Sequence, residues 1–557
     1  MRRLLALSIA LAALAAMAVS SASAQEASLP PAPVDELNFT HRANVPSVGG
    51  NNFAFFERQE ANGSIRRFVV ASNTSHGFDI VEITDPTAPT TVGRFIGTET
   101  GNPQNNLNYG PGYNSHAWVD VNPRRNIVVL TIEDATLGSP ITGRAPRHSQ
   151  GTGMQFVDIS DVTNPRPLGK VDGLDGPHTV RMIGDNHAYT SLNTYVVDYT
   201  NPMDPFVVKA DGTRGGNGDL AAVQGHEFWE DPNTPGLGYV GMASTSWKWG
   251  LMDLSDPARP KTTVEKTEIV PNGAAHEAYP APDGSFVGVA DFKTGGPNTR
   301  ACPGGGNYFY DVSGRYKPGA GPTDPIRMGQ YFIPFSGLTP INTNGNGTIN
   351  YGSCTMHSWN TQPERTLGVV GMYQAGTWVM DFSGPTQPGG PYTEYDGSMA
   401  NPPRTDKTTW GNTKGHNRDA LDFVNSAQFL PFDLANAADE RIIVTNGLER
   451  GLDIYTYDGP MPEKISRLRV DASAPGGVVS GSLDRYAVLT YQGYRNLPLA
   501  GKTLTVTSGG TTVGATTGAD GSFSADLGLG AGSHAVTVTW AGDDVFRQES
   551  VTLTVSG

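Results

Sequence analysis

The sequence predicts an all-β chain, a seven-bladed β-propeller followed by a small β-sandwich. Three observations carry this expectation. One motif recurs along most of the 557 residues. Glycine (69) and proline (41) are abundant beside a hydrophobic fraction of 37%, the composition of a turn-rich folded chain rather than a disordered one. After about residue 470 the motif gives way to short runs, most of them alternating at period two.

The chain opens on a secretion signal. Arg2 and Arg3 form a basic start, Leu4 to Val19 is apolar, and Ala22-Ser23-Ala24 before Gln25 has the small-x-small form of a cleavage site. The apolar run is shorter than the ~20 residues of a bilayer span, so the mature chain is expected to begin at Gln25. No later stretch is apolar enough to cross a membrane, and the expected location is periplasmic, extracellular or at the cell surface.

The motif is an apolar pair, an acid, an apolar residue, Ser or Thr, then a turn of Asp, Asn and Pro. It reads Ile80-Val81-Glu82-Ile83-Thr84-Asp85-Pro86 at first and Leu251-Met252-Asp253-Leu254-Ser255-Asp256-Pro257 later, with further acids at Asp158, Asp198, Asp311 and Asp381. A degenerate seventh copy holds Asp453. The apolar run is a strand, and Asx-Pro stops it, because proline cannot donate to a ladder and the Asx side chain caps a turn. In the third copy two strands precede the acid, at His178 to Met182 and His187 to Leu192, around a Gly184-Asp185-Asn186 turn. A fourth strand follows the proline, as at Thr91 to Phe95. Four antiparallel strands in a repeated unit of this length make a propeller blade.

These residues resemble the LVIVD repeat of bacterial secreted and surface proteins. The third unit matches through His178-Thr179-Val180, Ala188-Tyr189 and Val196-Val197-Asp198, and the fourth through Gly250 to Pro260. The likeness covers most of residues 50 to 460 and implies architecture more than activity. Beyond Val470, Asp520-Gly521-Ser522-Phe523 and Trp540-Ala541-Gly542-Asp543 resemble bacterial Ig-like repeats of cell-surface proteins. That second likeness implies a spacer or adhesion module. The expected organisation is a signal at 1–24, the propeller at 25–470, a linker at 471–479 and the Ig-like module at 480–557.

Five histidines stand at one point of the repeat: His116, His178, His226, His276 and His357. Each precedes the acid of its unit by 20 to 42 residues. Inner strands of a propeller gather around one axis, so the five are expected to meet at a channel mouth. Imidazole is the commonest metal ligand, and three or four around one ion suit iron, copper or zinc. The competing reading is structural, with each histidine hydrogen-bonded to the acid of its own blade. Glu227 and Glu277 directly follow two of the histidines and are candidates for a general base or an outer-sphere partner. On regular strands they face away from their histidines. Trp118 and Trp359, two residues after theirs, are candidates to line the same mouth and stack on a ligand, with packing between blades as the competing reading. His416 is expected to overhang it from a loop, and His41 is a doubtful counterpart in the first unit.

Cys302 and Cys354 are the two cysteines, and outside the cytoplasm a pair is most simply a disulfide. The net charge of −15 lacks the clustered Lys and Arg that nucleic acid or anionic membrane requires. The expected partners are a small molecule or an extracellular protein or glycan. Two functions therefore stand side by side: a binding or scaffold protein, and a mononuclear metal-dependent oxidoreductase or lyase using a ring of channel histidines.

Overall fold

The computed structural model describes residues 35–46, 50–73, 77–96, 116–133, 153–242, 248–266, 275–291, 306–312, 325–331, 342–343, 349–350, 356–382, 412–418, 424–448 and 450–557. Seven antiparallel sheets of four or five strands follow one another along the chain. The third is typical: Pro177–Ile183, His187–Leu192, Val196–Asp198 and Phe206–Val207, paired in chain order. The first strand of each sheet packs against the first strand of the next, from Phe53–Gln59 round to Val424–Phe429. Asn425 donates to Asn51 (3.2 Å) and Asn446 to the carbonyl of Asn52 (2.9 Å), which joins the seventh blade to the first. The fold is a seven-bladed β-propeller, as the repeat predicts.

The ring closes in a way the repeat does not encode. Phe39–Val45 supplies the outermost strand of the seventh blade, antiparallel to Gly451–Tyr457. Asp35–Leu37 adds a fifth strand to the sixth blade by pairing with Asn412–Arg418. Two expectations change here. His41 is not a channel residue of the first unit; it sits on this outer strand and bonds Asp453 at 2.8 Å. His416 does not overhang the mouth from a loop. Its backbone lies in the outer strand Asn412–Arg418, paired with Trp378 and Leu37 and separated from the inner strand by two others.

The acids of the repeat close their own turns. Asp158, Asp198 and Asp253 accept the backbone N–H two residues on, at 2.8, 2.7 and 2.9 Å. They stand at the end of the third strand, whereas the histidines stand at the start of the first. Antiparallel pairing puts those points at opposite ends of a blade, about 15–20 Å apart for strands of this length. A bond between a histidine that opens an inner strand and the acid of its own blade is therefore excluded by topology.

Between blades the sheets interlock through aromatic cores. The fifth and sixth share Phe286, Phe309, Trp359, Trp378 and Phe382, all buried. Trp359 is thus a wedge between blades and not a lining residue. Its indole fits because Gly288 and Gly368 face it, where a β-carbon would stand 2.3 and 1.9 Å from the ring.

The terminal residues form two sheets over one core. Ser466–Val470, Val478–Arg485 and Ser522–Asp526 make the first. Thr511–Thr516, Thr503–Ser508, Ser533–Trp540 and Glu549–Ser556 make the second. Leu483, Phe523, Leu504, Val536, Val538 and Trp540 are buried between them. The chain enters this module at Ser466, ahead of the expected boundary, and the expected linker is partly built into it: Ala474 donates to Ser556 at 2.8 Å. The signal segment, Cys302 and Cys354 lie outside the described residues.

Candidate functional site: the central channel

Four of the five repeat histidines converge. The rings of His178 and His226 are 5.0 Å apart, those of His226 and His276 4.1 Å, and those of His276 and His357 4.2 Å. Among the described residues they form a file along blades three to six. His116 opens the inner strand His116–Asn122 of the second blade; its side chain lies outside the described residues. Tyr373 continues the file at 5.0 Å from His357, and Trp118 reaches across from the second blade to 6.3 Å. Trp118 therefore does border the channel, as expected, while also packing in the core of blades two and three.

Local backbone irregularity aims these side chains. His226 precedes its strand, Glu227–Glu230, and donates its N–H to Gly241 at 2.6 Å. His357 likewise precedes Ser358–Thr361 and donates to Gly371 at 2.9 Å. In the fifth blade the register shifts between Ala275 and Glu277, so His276 occupies a bulge; in the third it shifts between Pro177 and Val180, around His178. A bulge redirects side chains that strict alternation would send to opposite faces. In the fourth blade no bulge is needed: His226 lies in the bend before its strand, so alternation does not separate it from Glu227, and the two share the lining. The Glu227 carboxylate and the nitrogens of His226 and His276 all lie within 4.8 Å of one another. Gly241 lets the bulge approach: a β-carbon there would meet the carbonyl of His276 at 2.4 Å.

Beside the histidines lies a charged layer. Glu227 and Glu277 are buried, at 0% and 3% exposure. Glu277 accepts the backbone N–H of Trp359. Among the described residues the nearest donor to Glu227 is Arg181, whose Nε stands 3.5 Å from Oε2, at the outer limit of a hydrogen bond, and no other donor reaches either oxygen. Burial pushes the Glu227 carboxyl up to about 7, against the pull of Arg181 and His178. Burial, and then the charge of Glu227, raises Glu277 well above the ordinary carboxylate range. Asp120 is raised by burial too, although it accepts from the N–H groups of Met182 (2.8 Å) and Val121 (2.9 Å). The guanidinium of Arg181 lies 3.7 Å from the Trp229 ring centroid and 5.9 Å from that of Trp118. The charge of Arg181 thus acts on three carboxyl groups, of which Glu227 is in direct reach, while its guanidinium lies beside two indoles.

On the other side of Arg181 the channel widens into a cavity of about 410 Å³. Its walls include Asp120, Arg181, Trp229, Tyr279, Asn360 and Gln428. Trp229 and Tyr279 meet edge to face at 4.7 Å. The terminal module contributes here, which the spacer expectation did not foresee. Its hairpin, Val488–Thr490 with Gly493–Arg495, places Leu489 and Tyr494 on the same cavity. Leu489 donates to the carbonyl of Pro431 at 2.7 Å and packs with Phe53, Phe55 and Phe432.

The sequence pointed to the histidines and the two glutamates but missed Arg181, Asp120 and the glycines behind the site. The glycines had a signal: Val240-Gly241-Met242 recurs as Val370-Gly371-Met372. Arg181 and Asp120 had none, since each occurs in one blade.

No protein-family model matches the chain, and no curated protein does. Solved structures overlap it loosely. The β-propeller domain of Cps50 (Swd1) from Myceliophteria thermophila shares 9% identity over 75% of this chain and 99% of that one, with a TM-score of 0.42. Sqt1 from Chaetomium thermophilum shares 11% over 94% and 100%, at 0.38. A putative 6-phosphogluconolactonase from Bacteroides uniformis shares 10% over 80% and 95%, at 0.37. Likeness at this level says nothing of activity, and the fold rests on the sheets described above. Among the described residues no helix is long and apolar enough to cross a membrane.

Proposed function

We propose that this chain is an exported binding protein that receives a small ligand in the capped cavity of its channel. The cavity itself carries the reading. Its volume of about 410 Å³ lies within the usual range of small-molecule sites, roughly 300–1,000 Å³. Its walls combine the aromatic faces of Trp229, Tyr279 and Tyr494 with a few polar groups, Asp120, Arg181, Asn360 and Gln428. Such walls suit an aromatic molecule that carries hydrogen-bonding groups, since stacking supplies area and the polar groups fix orientation. Export is supported by Arg2-Arg3, the apolar Leu4 to Val19 and the Ala22-Ser23-Ala24 site.

The test is a thermal-shift and calorimetric screen of the purified chain with aromatic amino acids, aromatic carboxylates and short glycans. A ligand that raises the melting temperature and binds at least about tenfold more weakly to Trp229→Ala and Tyr494→Ala supports the cavity. Ligands indifferent to both substitutions would move binding elsewhere and overturn the reading. Secretion is checked separately, by finding a mature N-terminus at Gln25 in the periplasmic or culture fraction.

A further inference from the structure

The geometry points to a site for one divalent transition-metal ion, held by His226, Glu227 and His276 at the channel end opposite the capped cavity. The inference is independent of the proposed ligand, since a different part of the channel carries it.

Three observations converge. The first is distance: the donor atoms of the three residues already lie within 4.8 Å of one another. An ion of this class holds imidazole nitrogen and carboxylate oxygen at about 2.0–2.2 Å. Donors around it therefore stand about 3–4 Å apart, which small side-chain rotations reach. The second is Glu227. It is fully buried, and among the described residues only Arg181, at 3.5 Å, offers its carboxylate a donor. A carboxyl group in such a place is neutralised either by a cation or by a proton. Arg181, at 3.5 Å, answers only part of that need, because its one charge also acts on Asp120 and Glu277. With all three acids ionised, one divalent ion beside the one guanidinium would bring the group to neutrality. The third is orientation. The backbone departs from regular pairing at both histidines, through the turn before Glu227 and the bulge at His276, and Gly241 allows the close approach. Bulges gather where a side chain must be re-aimed.

The flanking histidines fit an outer role. His357 donates Nδ1–H to the carbonyl of Asn425 at 2.7 Å, which fixes its tautomer with the lone pair on Nε2. It stands one ring beyond His276, as His178 stands one ring beyond His226. Two imidazoles and one carboxylate are the donor set of zinc and of iron(II), rather than of calcium or magnesium, which take oxygen alone.

The experiment uses the full mature chain, stripped with chelator and titrated with Zn²⁺, Mn²⁺ and Co²⁺ by calorimetry and thermal shift. The expected result is one ion per chain, a melting temperature that rises with metal and returns with chelator, and Co²⁺ absorption bands of a nitrogen–oxygen site. Glu227→Gln keeps the side-chain volume, so it tests the site without opening a cavity. It should weaken binding on the order of a hundredfold or more, because even outer-sphere partners are worth 10–100-fold. His178→Gln should weaken it less. Failure of the wild-type chain to bind any of the three ions overturns the site. So does binding that Glu227→Gln and His276→Ala leave unchanged, which would place the ion elsewhere. If His276→Ala does not fold, the Co²⁺ spectrum and Glu227→Gln decide the matter alone. Relief of the buried charge by protonation, the competing arrangement, predicts no metal-dependent stability.

Discussion

Arg181 is the residue on which the channel's charge turns. It comes from one blade, is nearly buried, and faces Glu227 at 3.5 Å while lying against Trp229. Its removal leaves the buried Glu227 and Glu277 without that charge beside them. We expect Arg181→Met to destabilise the chain by about 3–5 kcal/mol, as when one partner of a buried pair is removed. Adding Glu227→Gln should restore part of that loss, because it removes the charge left unanswered. Urea denaturation of the four combinations measures the coupling, and strict additivity would show that the two do not interact. The histidines around Arg181 were legible in the sequence because duplication repeats them at one point of each unit. Arg181 was not, because a residue found in one blade has no periodicity to betray it. The pair Trp118 and Trp359 shows a further limit. Both follow a histidine by two residues, yet one borders the channel and the other fills a wedge. Gly288 and Gly368 decide the second case, from strands that sequence spacing does not connect to it. Gly368→Ala should therefore cost about 1–3 kcal/mol in the same denaturation assay, since its methyl group has nowhere to go.

The strand Phe39–Val45 holds the ring shut, and its chemistry explains why it escaped notice. It is the outermost strand of its blade and half exposed along most of its length, so it needs little apolar alternation. Its partner, Gly451–Tyr457, is about four hundred residues away in sequence and fully buried. The third-strand copy around Asp453 was recognisable for that reason, whereas its outer neighbour was not. Asp453 is the anchor of the closure, accepting from His41 at 2.8 Å, Asn44 at 2.9 Å and Arg450 at 2.7 Å. Burial raises its carboxyl, but the hydrogen bonds from His41, Arg450 and Asn44 and the charge of Arg450 outweigh burial and leave it below the ordinary range. A carboxyl depressed in the folded state contributes stability that is present above its unfolded pKa, about 3.9, and lost as pH falls through the folded value. Hydrogen exchange of residues 39–45 should accordingly speed up at acid pH before that of the inner strands does. In Asp453→Asn it should be faster even at neutral pH. Protection of residues 39–45 that is unchanged in Asp453→Asn would refute the anchoring role.

At the scale of the whole molecule, the terminal module acts as part of the propeller. Its composition and short alternating strands were readable, but its position was not, because docking is written in single charged residues. Glu364, from the turn after the inner strand of the sixth blade, accepts Lys464 at 2.9 Å and Arg485 at 2.6 Å. Lys464 also reaches Glu440 at 2.5 Å, and Glu440 holds Arg365 at 2.6 Å. Arg485 pairs in addition with Asp433 at 2.6 Å. Glu364, Glu440, Lys464 and Arg365 are all less than a tenth exposed. Asn233 of the fourth blade accepts from the backbone of Ala487 at 2.8 Å and from Asn496 at 2.9 Å. A buried network of this kind adds little against an apolar replacement of the same shape, but it fails heavily when one member is lost. Loss of Glu364 leaves Lys464 and Arg485 desolvated with fewer partners, so the penalty falls on the contact and not on either core. The wild-type chain should therefore unfold in one calorimetric transition, propeller and module together. Glu364→Ala should split that transition, with the module melting first and Tyr494 drawn away from the cavity. Faster proteolysis between Asp458 and Ser466 would report the same release. Two transitions in the wild-type chain, or one unaltered transition in Glu364→Ala, would show that the module is a neighbour of the channel rather than its cap.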